Sequence, residues 1–312
     1  MRFAHGAFAC ARDRSVPIRS TGGFQMASVR PALAAHGATS LFVLLWSSGA
    51  IFAELGLRHA SAFAFLIARF ALASLVLLVL SLARRRWLPP RGARRATVAT
   101  GLLLTGGYSI LYLLALERGL APGILATILG VQPILTLVVL ERRASGARLA
   151  GLALALTGLG LVVYRSIAGG DAPVSGAACA LGALLSITAG ALLQKRVRAA
   201  PIDVLPLQNA LGLGLCALIA PFEPIAFEAS WSFALPLAWL GIVISVFAQL
   251  LFYRLMQRGD LVNVTSLFYL VPVVTALMDA AWLGNRLAPL EIAGMIAILA
   301  GLALVFRRAV RD

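Results

Sequence analysis

Apolar residues gather along the chain in runs of about 20, separated by short polar segments. An α-helix of that length crosses about 30 Å of hydrocarbon at about 1.5 Å per residue. The runs are apolar on every side, whereas the strands of a membrane β-barrel alternate apolar and polar residues. The pattern predicts an all-α integral membrane protein with ten transmembrane helices, over residues 37–57, 60–83, 96–116, 120–140, 149–164, 174–193, 204–221, 233–253, 261–283 and 287–306.

Composition and the placement of charge agree with membrane segments and predict their orientation. Of the 312 residues, 61% are hydrophobic and 12% are charged, whereas a soluble domain has about 45–50% and about 25%. The net charge of +15 raises the alternative of nucleic acid binding. With a cytoplasmic N-terminus, however, 22 of the 27 Lys and Arg residues fall on the inner side, four lie in outer loops, and Arg69 lies within a span. This bias follows the positive-inside rule. We therefore predict a multi-pass protein of a bacterial-type inner (plasma) membrane, with both termini cytoplasmic and no nucleic acid partner.

The two ends of the chain are basic. Residues 1–36 form an N-terminal segment and residues 307–312 a cytoplasmic tail. The N-terminal segment lacks the continuous apolar core and the small-residue cleavage site of a signal peptide, so no cleavage is expected. Because the residues after Met26 already form a basic leader, we consider the hypothesis that translation starts at Met26.

The chain repeats itself with a period of about 139 residues, a feature typical of duplicated carriers. Gly37-Ala38 recurs as Gly176-Ala177, and the PxxT motif that begins at Pro133 recurs at Pro272. The predicted repeats are residues 37–165 and 174–306. Since each repeat holds an odd number of helices, the second repeat enters the membrane in the opposite orientation. Two inverted repeats can expose a central site to either side in turn, which is alternating access.

Several local motifs carry a family resemblance. They are Leu45-Trp46-Ser47-Ser48-Gly49 in the first helix, Ala68-Arg69-Phe70-Ala71 in the second, and a pattern of proline, acidic-basic pair and glycines at the end of each half. In these motifs the chain resembles the EamA-type carriers of the drug/metabolite transporter superfamily. The resemblance implies ten helices from two five-helix repeats and transport of a small solute. The chain departs from the family at Asn285, where the family usually has Glu.

Two charged residues within the predicted spans, Arg69 and Asp279, are candidates for a functional role. Arg69 is about 14 Å deep in the second helix, where a charge costs about 2.5–3.5 kcal/mol unless it is paired or hydrated. It is either an anion-binding or gating charge in the cavity, or one half of a structural pair with Glu54 or Asp279. Asp279 lies near the outer end of the ninth helix, and we consider a role for it in proton coupling.

Polar and aromatic residues within the helices are the candidates for a substrate cavity. Tyr108 and Tyr112 share a helix face, as do Gln249 and Tyr253, and such side chains can hold an amphipathic solute. The alternative is that they pack helices together or sit in the interfacial aromatic belt. The cavity candidates are Trp46, Ser47, Arg69, Tyr108, Tyr112, Gln132, Gln249, Tyr253 and Tyr269.

Prolines and glycines predict where helices bend and approach one another. Pro133 and Pro272 are candidate hinges, because proline removes a backbone donor and kinks a helix. The glycines at 151, 158, 294 and 301 form stripes on the fifth and tenth helices. Such stripes indicate either close helix packing or the face of a homodimer.

The presence or absence of other motifs distinguishes between a carrier, a channel or sensor, and an enzyme. The sequence lacks a GxxxxGK[ST] loop, an HExxH motif and clustered acids, and the three Cys residues are isolated. We therefore expect no enzyme activity, no cofactor and no metal, with a small-molecule substrate and the lipid bilayer as partners. The prediction is a secondary carrier that exports small metabolites such as amino acids. The alternatives are a membrane channel or sensor, or a membrane-embedded enzyme.

Overall fold

The structure is a computed structural model that describes residues 29–140, 146–168, 174–257 and 261–306. The chain divides into two units, Met1–His36 and Gly37–Asp312. Of the first unit only the beginning of a helix is described, so the hypothesis about Met26 lies outside the described residues, as does the predicted tail. In the described ranges the second unit is helical and contains no strand, apart from one isolated bridge between Ala60 and Phe227. The all-α prediction is confirmed there.

Ten helical segments follow one another in the described ranges, one for each predicted span. They are α1 (Val29–Leu57), α2 (Ala62–Arg84), α3 (Arg91–Glu117), α4 (Pro122–Leu129 and Gln132–Leu140), α5 (Gly146–Ala168), α6 (Val174–Gln194), α7 (Pro201–Phe222), α8 (Trp231–Gln257), α9 (Leu261–Met278 and Asp279–Leu283) and α10 (Pro289–Phe306).

Six of these helices are long and apolar enough to cross a membrane, namely α1, α2, α3, α6, α7 and α8. In α4, α5, α9 and α10 the apolar stretch among the residues searched is shorter, at 10–17 residues. Length and composition therefore support six spans, and the count of ten spans stays a prediction.

Local sequence explains where several helices begin and end. Pro122 and Pro201 occupy the first turns of α4 and α7, where the missing N–H is not needed and the fixed φ favours a helix. The Ser230 hydroxyl accepts a hydrogen bond from the backbone N–H of Phe233 and caps α8. Gly284 ends α9 with a φ of 77°, a left-handed conformation that glycine adopts without steric cost.

The packing of the helices repeats between the halves. Helices at equivalent positions touch in three cases, because α2 packs against α7, α4 against α9 and α5 against α10. The contacts of α2 with α8 and of α3 with α7 form a matched pair. So do the contacts of α3 with α6 and of α1 with α8. Exchanging helices 1–5 with 6–10 maps this set of neighbours onto itself, as expected for a duplicated unit.

The glycine stripes of α5 and α10 face each other inside the chain. A Cβ atom added to Gly158 would lie 2.5 Å from the carbonyl oxygen of Gly294, and one added to Gly301 would lie 2.5 Å from the carbonyl oxygen of Gly151. No side chain fits at these separations, so glycine is needed for the two backbones to approach. The stripes are therefore used for helix packing within one chain.

Replacing Gly301 with Ala is expected to destabilise the protein by about 1–3 kcal/mol, because the new methyl group must push α10 away from α5. Gly160→Ala is the matched control, since nothing lies within 4 Å of a Cβ at that position of α5. The control should be as stable as the parent or more so, because alanine favours a helix over glycine. Denaturant unfolding of the purified protein in detergent measures both changes, and equal stability of the two variants would contradict the packing described here.

Candidate functional site

A cavity lies among the helices and draws its lining from both halves. Described residues of α1–α4 and α6–α9 contribute to it, and none of α5 or α10 does. The lining residues are Trp46, Gly49 and Ala50 of α1; Arg69 and Phe70 of α2; Leu104, Thr105, Tyr108, Ser109 and Tyr112 of α3; Ala126, Leu129, Gly130 and Gln132 of α4; Ile187 of α6; Asn209 of α7; Leu240, Ile244, Ser245 and Gln249 of α8; and Val271, Pro272 and Thr275 of α9.

The structure brings most of the predicted cavity residues together. Those that line the cavity are Trp46, Arg69, Tyr108, Tyr112, Gln132 and Gln249, together with the predicted hinge residue Pro272. Ser47, Tyr253, Asp279 and Pro133 are buried elsewhere and do not appear in the lining. Tyr269 belongs to α9, but its side chain lies outside the described part of the structure.

Arg69 brings a positive charge to the cavity wall. Its Nε donates a hydrogen bond to Oγ of Ser245 at 2.9 Å, and its Cζ lies 5.6 Å from the centroid of the Phe70 ring. The ion pairs found among the described residues are Arg84–Asp203 and His59–Glu228. The structure thus pairs Arg69 with neither of the two carboxylates that the sequence suggested, Glu54 or Asp279. Its guanidinium keeps donors for an anionic ligand.

Ser245 holds the Arg69 side chain in place. Its hydroxyl accepts from Arg69 and donates to the carbonyl oxygen of Leu240, five residues earlier, at 2.7 Å. That carbonyl lies in a π-helical stretch, Trp239–Ala248, and α3 has a π-helical stretch at the equivalent place, Gly101–Gly107. π-Helical turns are frequent at functional sites because they re-aim side chains and leave backbone carbonyls for other partners.

Aromatic rings form a second part of the wall. Tyr108 and Tyr112 meet edge to face with their ring centroids 5.5 Å apart. Trp46 lies 5.1 Å from the ring centroid of Phe42 and 5.3 Å from that of Phe252, and these contacts fix its orientation. Such rings give an apolar surface with hydrogen-bonding edges, which suits a solute that has both apolar and polar groups.

A fully buried polar network, which sequence reasoning missed, lies beside the cavity. Gln208 Nε2 donates to Oγ1 of Thr100 at 2.6 Å and to Oε1 of Gln194 at 2.9 Å, while the Tyr253 hydroxyl donates to Oε1 of Gln208 at 2.7 Å. The network joins α3, α6, α7 and α8. Gln208 stands 139 positions after Arg69, so the repeat offset places the two at equivalent positions of α7 and α2. The repeat was the signal that could have found Gln208.

Comparison with known proteins now identifies the class of protein. Residues 35–164 and 174–307 each match the EamA-like transporter family. The chain belongs to this family. It is a multi-pass membrane protein and a transporter of the drug/metabolite transporter superfamily.

Individual relatives agree with this assignment. This EamA transporter is 24% identical over 282 residues to a Salmonella typhimurium protein described as "Probable amino-acid metabolite efflux pump", covering 84% of the present chain and 91% of the relative. It is 26% identical over 160 residues to a protein of Bacillus subtilis, "Uncharacterized transporter YvbV", covering 50% and 52% of the two chains. A crystal structure 22% identical in sequence has the same fold, with a TM-score of 0.62, and the match covers 89% of this chain and 98% of the other.

In this EamA transporter, Asp279 joins the start of α4 to the end of α9. Although the sequence places Asp279 near the outer end of its helix, the residue is only 2% exposed. Its Oδ2 accepts from the backbone N–H of Gly123 at 2.8 Å, and its Oδ1 accepts from Nδ2 of Asn285 at 2.9 Å. The departure from the family pattern at Asn285 therefore has a physical role here, because a glutamate at that place would set a second carboxylate against Asp279.

The proline-bearing helices α4 and α9 meet beside the cavity. α4 is interrupted by a turn at Gly130 and Val131, shortly before Pro133. A Cβ atom added to Gly130 would lie 2.8 Å from Cγ of Pro272, so the interruption faces the proline of α9. Ser47 of α1 donates to the carbonyl oxygen of Val271 at 3.3 Å, next to that proline. Ser47 thus supports the cavity wall from behind.

Proposed function

We propose that this transporter is a secondary carrier that exports amino acids or related small metabolites across the bacterial inner membrane by alternating access. The observation that carries the proposal is one cavity, lined by both halves, into which a single formal charge is brought by Arg69. The lining contains no Asp or Glu among the described residues. An anionic group such as a carboxylate is the natural partner of an arginine in that setting, because a guanidinium can donate two parallel hydrogen bonds to it.

The direction and the class of solute rest on the relatives and on the cavity wall. The Salmonella relative is described as an efflux pump for amino-acid metabolites. The tyrosine pair and Trp46 offer an apolar surface for the remainder of such a molecule. An amino acid combines a carboxylate with a side chain that is often apolar, which matches both features.

The proposed topology has ten spans in two inverted repeats, with both termini in the cytoplasm. The repeat of helix neighbours and the bias of basic residues support this arrangement. In that orientation the Gln208 network lies toward the cytoplasmic side. It joins α3 and α7 near their first residues to α6 and α8 near their last, and basic residues such as Arg84, Arg91 and Lys195 flank these ends.

The equivalence of Arg69 and Gln208 supports alternating access. Each reaches from the second helix of its repeat toward the other repeat, Arg69 to Ser245 of α8 and Gln208 to Thr100 of α3. Inverted repeats place these two contacts on opposite sides of the cavity. In this proposal the Gln208 network closes the cytoplasmic side, and loosening it would open that side.

The energy source in this proposal is an ion or solute gradient, with Asp279 as the proton-coupling residue. Its carboxylate accepts two hydrogen bonds and links α4 to α9, the two helices that carry the hinge prolines. Protonation would remove the negative charge of the carboxylate and so weaken the hydrogen bonds that its two oxygens accept. A proton taken up at Asp279 would thereby loosen the contact between these helices.

The transport proposal is tested with the purified protein in liposomes that contain a panel of unlabelled amino acids. Wild-type protein should exchange at least one labelled amino acid in a saturable way, and Arg69→Ala should slow that exchange at least about tenfold because a charge-assisted hydrogen bond to the carboxylate is lost. Arg95→Ala, which changes an exposed arginine of α3, is the control. Wild-type protein that exchanges no amino acid would refute the proposal, and flux without saturation would favour the channel alternative.

The gate is tested by labelling a cysteine placed at Leu129, in a chain whose three natural cysteines are replaced by alanine. Gln208→Leu and Tyr253→Phe should each raise the rate at which a membrane-impermeant maleimide added on the cytoplasmic side reaches this cavity position. Each removes hydrogen bonds worth about 1 kcal/mol apiece from the closed state, so several-fold faster labelling is expected. Thr188→Val is the control, because the hydrogen bond of the Thr188 hydroxyl goes to the carbonyl of Leu184 in its own helix and not to the network. Unchanged labelling in both variants would exclude the network as a gate.

Proton coupling is tested with Asp279→Asn, which keeps an oxygen acceptor for the Gly123 N–H but cannot carry a proton. The variant should still exchange amino acids when no gradient is imposed. It should lose the accumulation that an imposed pH gradient drives in the wild type. Gradient-driven accumulation equal to that of the wild type would show that coupling does not run through this carboxylate.

A further inference from the structure

Three buried oxygen atoms of cavity residues have no hydrogen-bond partner in the described structure. One is Oγ1 of Thr105, a half-buried residue of α3. The other two belong to residues that are almost completely buried. They are Oδ1 of Asn209 and Oγ1 of Thr275, on residues that are 2% and 1% exposed. Both residues line the cavity, from α7 and α9. A buried polar atom without a partner is unfavourable, and native proteins leave few of them. Such atoms in a cavity wall point to a ligand that supplies the missing partner.

The side-chain amide of Asn209 turns its oxygen, a hydrogen-bond acceptor, away from its own helix, and the hydrogen bond that its nitrogen donates fixes this orientation. Its side-chain amide contacts the carbonyl oxygen of Leu205 at 3.0 Å. Since a backbone carbonyl only accepts hydrogen bonds, the amide NH2 must be the group on that side. The amide oxygen, which can only accept, is therefore the unpaired atom.

Thr275 is free for a different reason. Several other helical threonines bond the carbonyl four residues earlier, as Thr127 does with Gly123 at 2.7 Å and Thr188 with Leu184 at 2.6 Å. The corresponding carbonyl for Thr275 belongs to Val271, and it accepts from Ser47 instead. The usual local partner of this hydroxyl is thus used by a residue of α1, and the hydroxyl stays available.

We propose that Asn209 and Thr275 bind the ammonium group of the solute while Arg69 binds its carboxylate; this assignment rests on the proposed function. The ammonium needs acceptors, and the described lining offers no carboxylate for it. Neutral oxygens can accept its hydrogen bonds, and the faces of Tyr108 and Tyr112 can attract its charge. A cation held by neutral groups is easier to release than one held in a buried ion pair, which suits a carrier that must let its solute go.

Selectivity for the amino group is the measurable consequence. Amino acids should occupy the cavity better than carboxylic acids of the same shape that lack the amino group. Loss of either oxygen should weaken binding of the amino acid and leave binding of the des-amino acid nearly unchanged.

The experiment compares pairs of competitors against exchange of a labelled amino acid in liposomes. The pairs are alanine with propanoate, leucine with 4-methylpentanoate, and phenylalanine with 3-phenylpropanoate. In the wild type the amino acid should inhibit at a concentration about tenfold lower than its des-amino partner, and in Thr275→Val and Asn209→Leu this ratio should fall toward one. Thr127→Val should keep the wild-type ratio, because it removes a buried hydroxyl that is bonded within its own helix and lies outside the cavity lining. Wild-type ratios in both Thr275→Val and Asn209→Leu would overturn the proposal.

A separate measurement distinguishes failure of this site from failure of the proposed function. If the wild type exchanges no amino acid, the proposed function fails, and the site is judged by calorimetric binding of butylamine to the protein in detergent. Binding that weakens about tenfold in Thr275→Val, a variant that preserves side-chain shape, supports the ammonium site. Equal binding by the two proteins, or no binding to the wild type, overturns it.

Discussion

A polar group inside a hydrocarbon layer has to find its partner within the protein, and this constraint governs the whole structure. Backbone groups meet it by forming helices, which is why the described chain is helical and has no strand. Side chains meet it across helices. Arg69 bonds Ser245, Asp279 bonds Gly123 and Asn285, and Gln208 bonds residues of three other helices. Buried polar atoms that have no partner within the protein therefore indicate where a ligand could bind. Asn209 and Thr275 each contribute one such atom among the residues that line the cavity.

The helices divide into two kinds according to what their faces contain. α5 and α10 meet through glycines whose backbones approach so closely that no side chain fits between them. α1–α4 and α6–α9 carry larger and more polar side chains and enclose the cavity. Lipid gives little hydrophobic drive for helices to associate, so close van der Waals contact of the first kind is what holds such helices together. The other eight helices can then surround a partly empty space.

The two repeats share one arrangement of helices but carry different residues at equivalent positions. Arg69 and Gln208 occupy equivalent positions, yet one carries a charge into the cavity and the other completes a neutral, fully buried network. The π-helical stretches of α3 and α8 are equivalent in the same way. Asp279 has no acidic counterpart, since the position 139 residues earlier is Leu140.

The sequence by itself determined the helices, their order, the repeat and the family. Runs of apolar residues and their lengths carry that information, because crossing a bilayer is a local requirement that each segment meets alone. Glycine spacing also indicated that α5 and α10 carry faces for close packing, either within one chain or in a homodimer. Of the cavity, the sequence placed Trp46, Arg69, Tyr108, Tyr112, Gln132 and Gln249 among the candidates, since polar and aromatic residues within spans are few.

Only the tertiary structure decided which face of each helix turns to the cavity. These helices are apolar nearly all round, so their sequences lack the stripe that points a soluble helix toward its core. Ser47 and Tyr253 looked like wall residues, but Ser47 bonds the Val271 carbonyl and Tyr253 bonds Gln208. Asn209 and Thr275 carried no local signal, because an amide or a hydroxyl becomes a binding group only when its neighbours have taken its usual partners. That depends on contacts between helices far apart in the chain, which no single segment encodes.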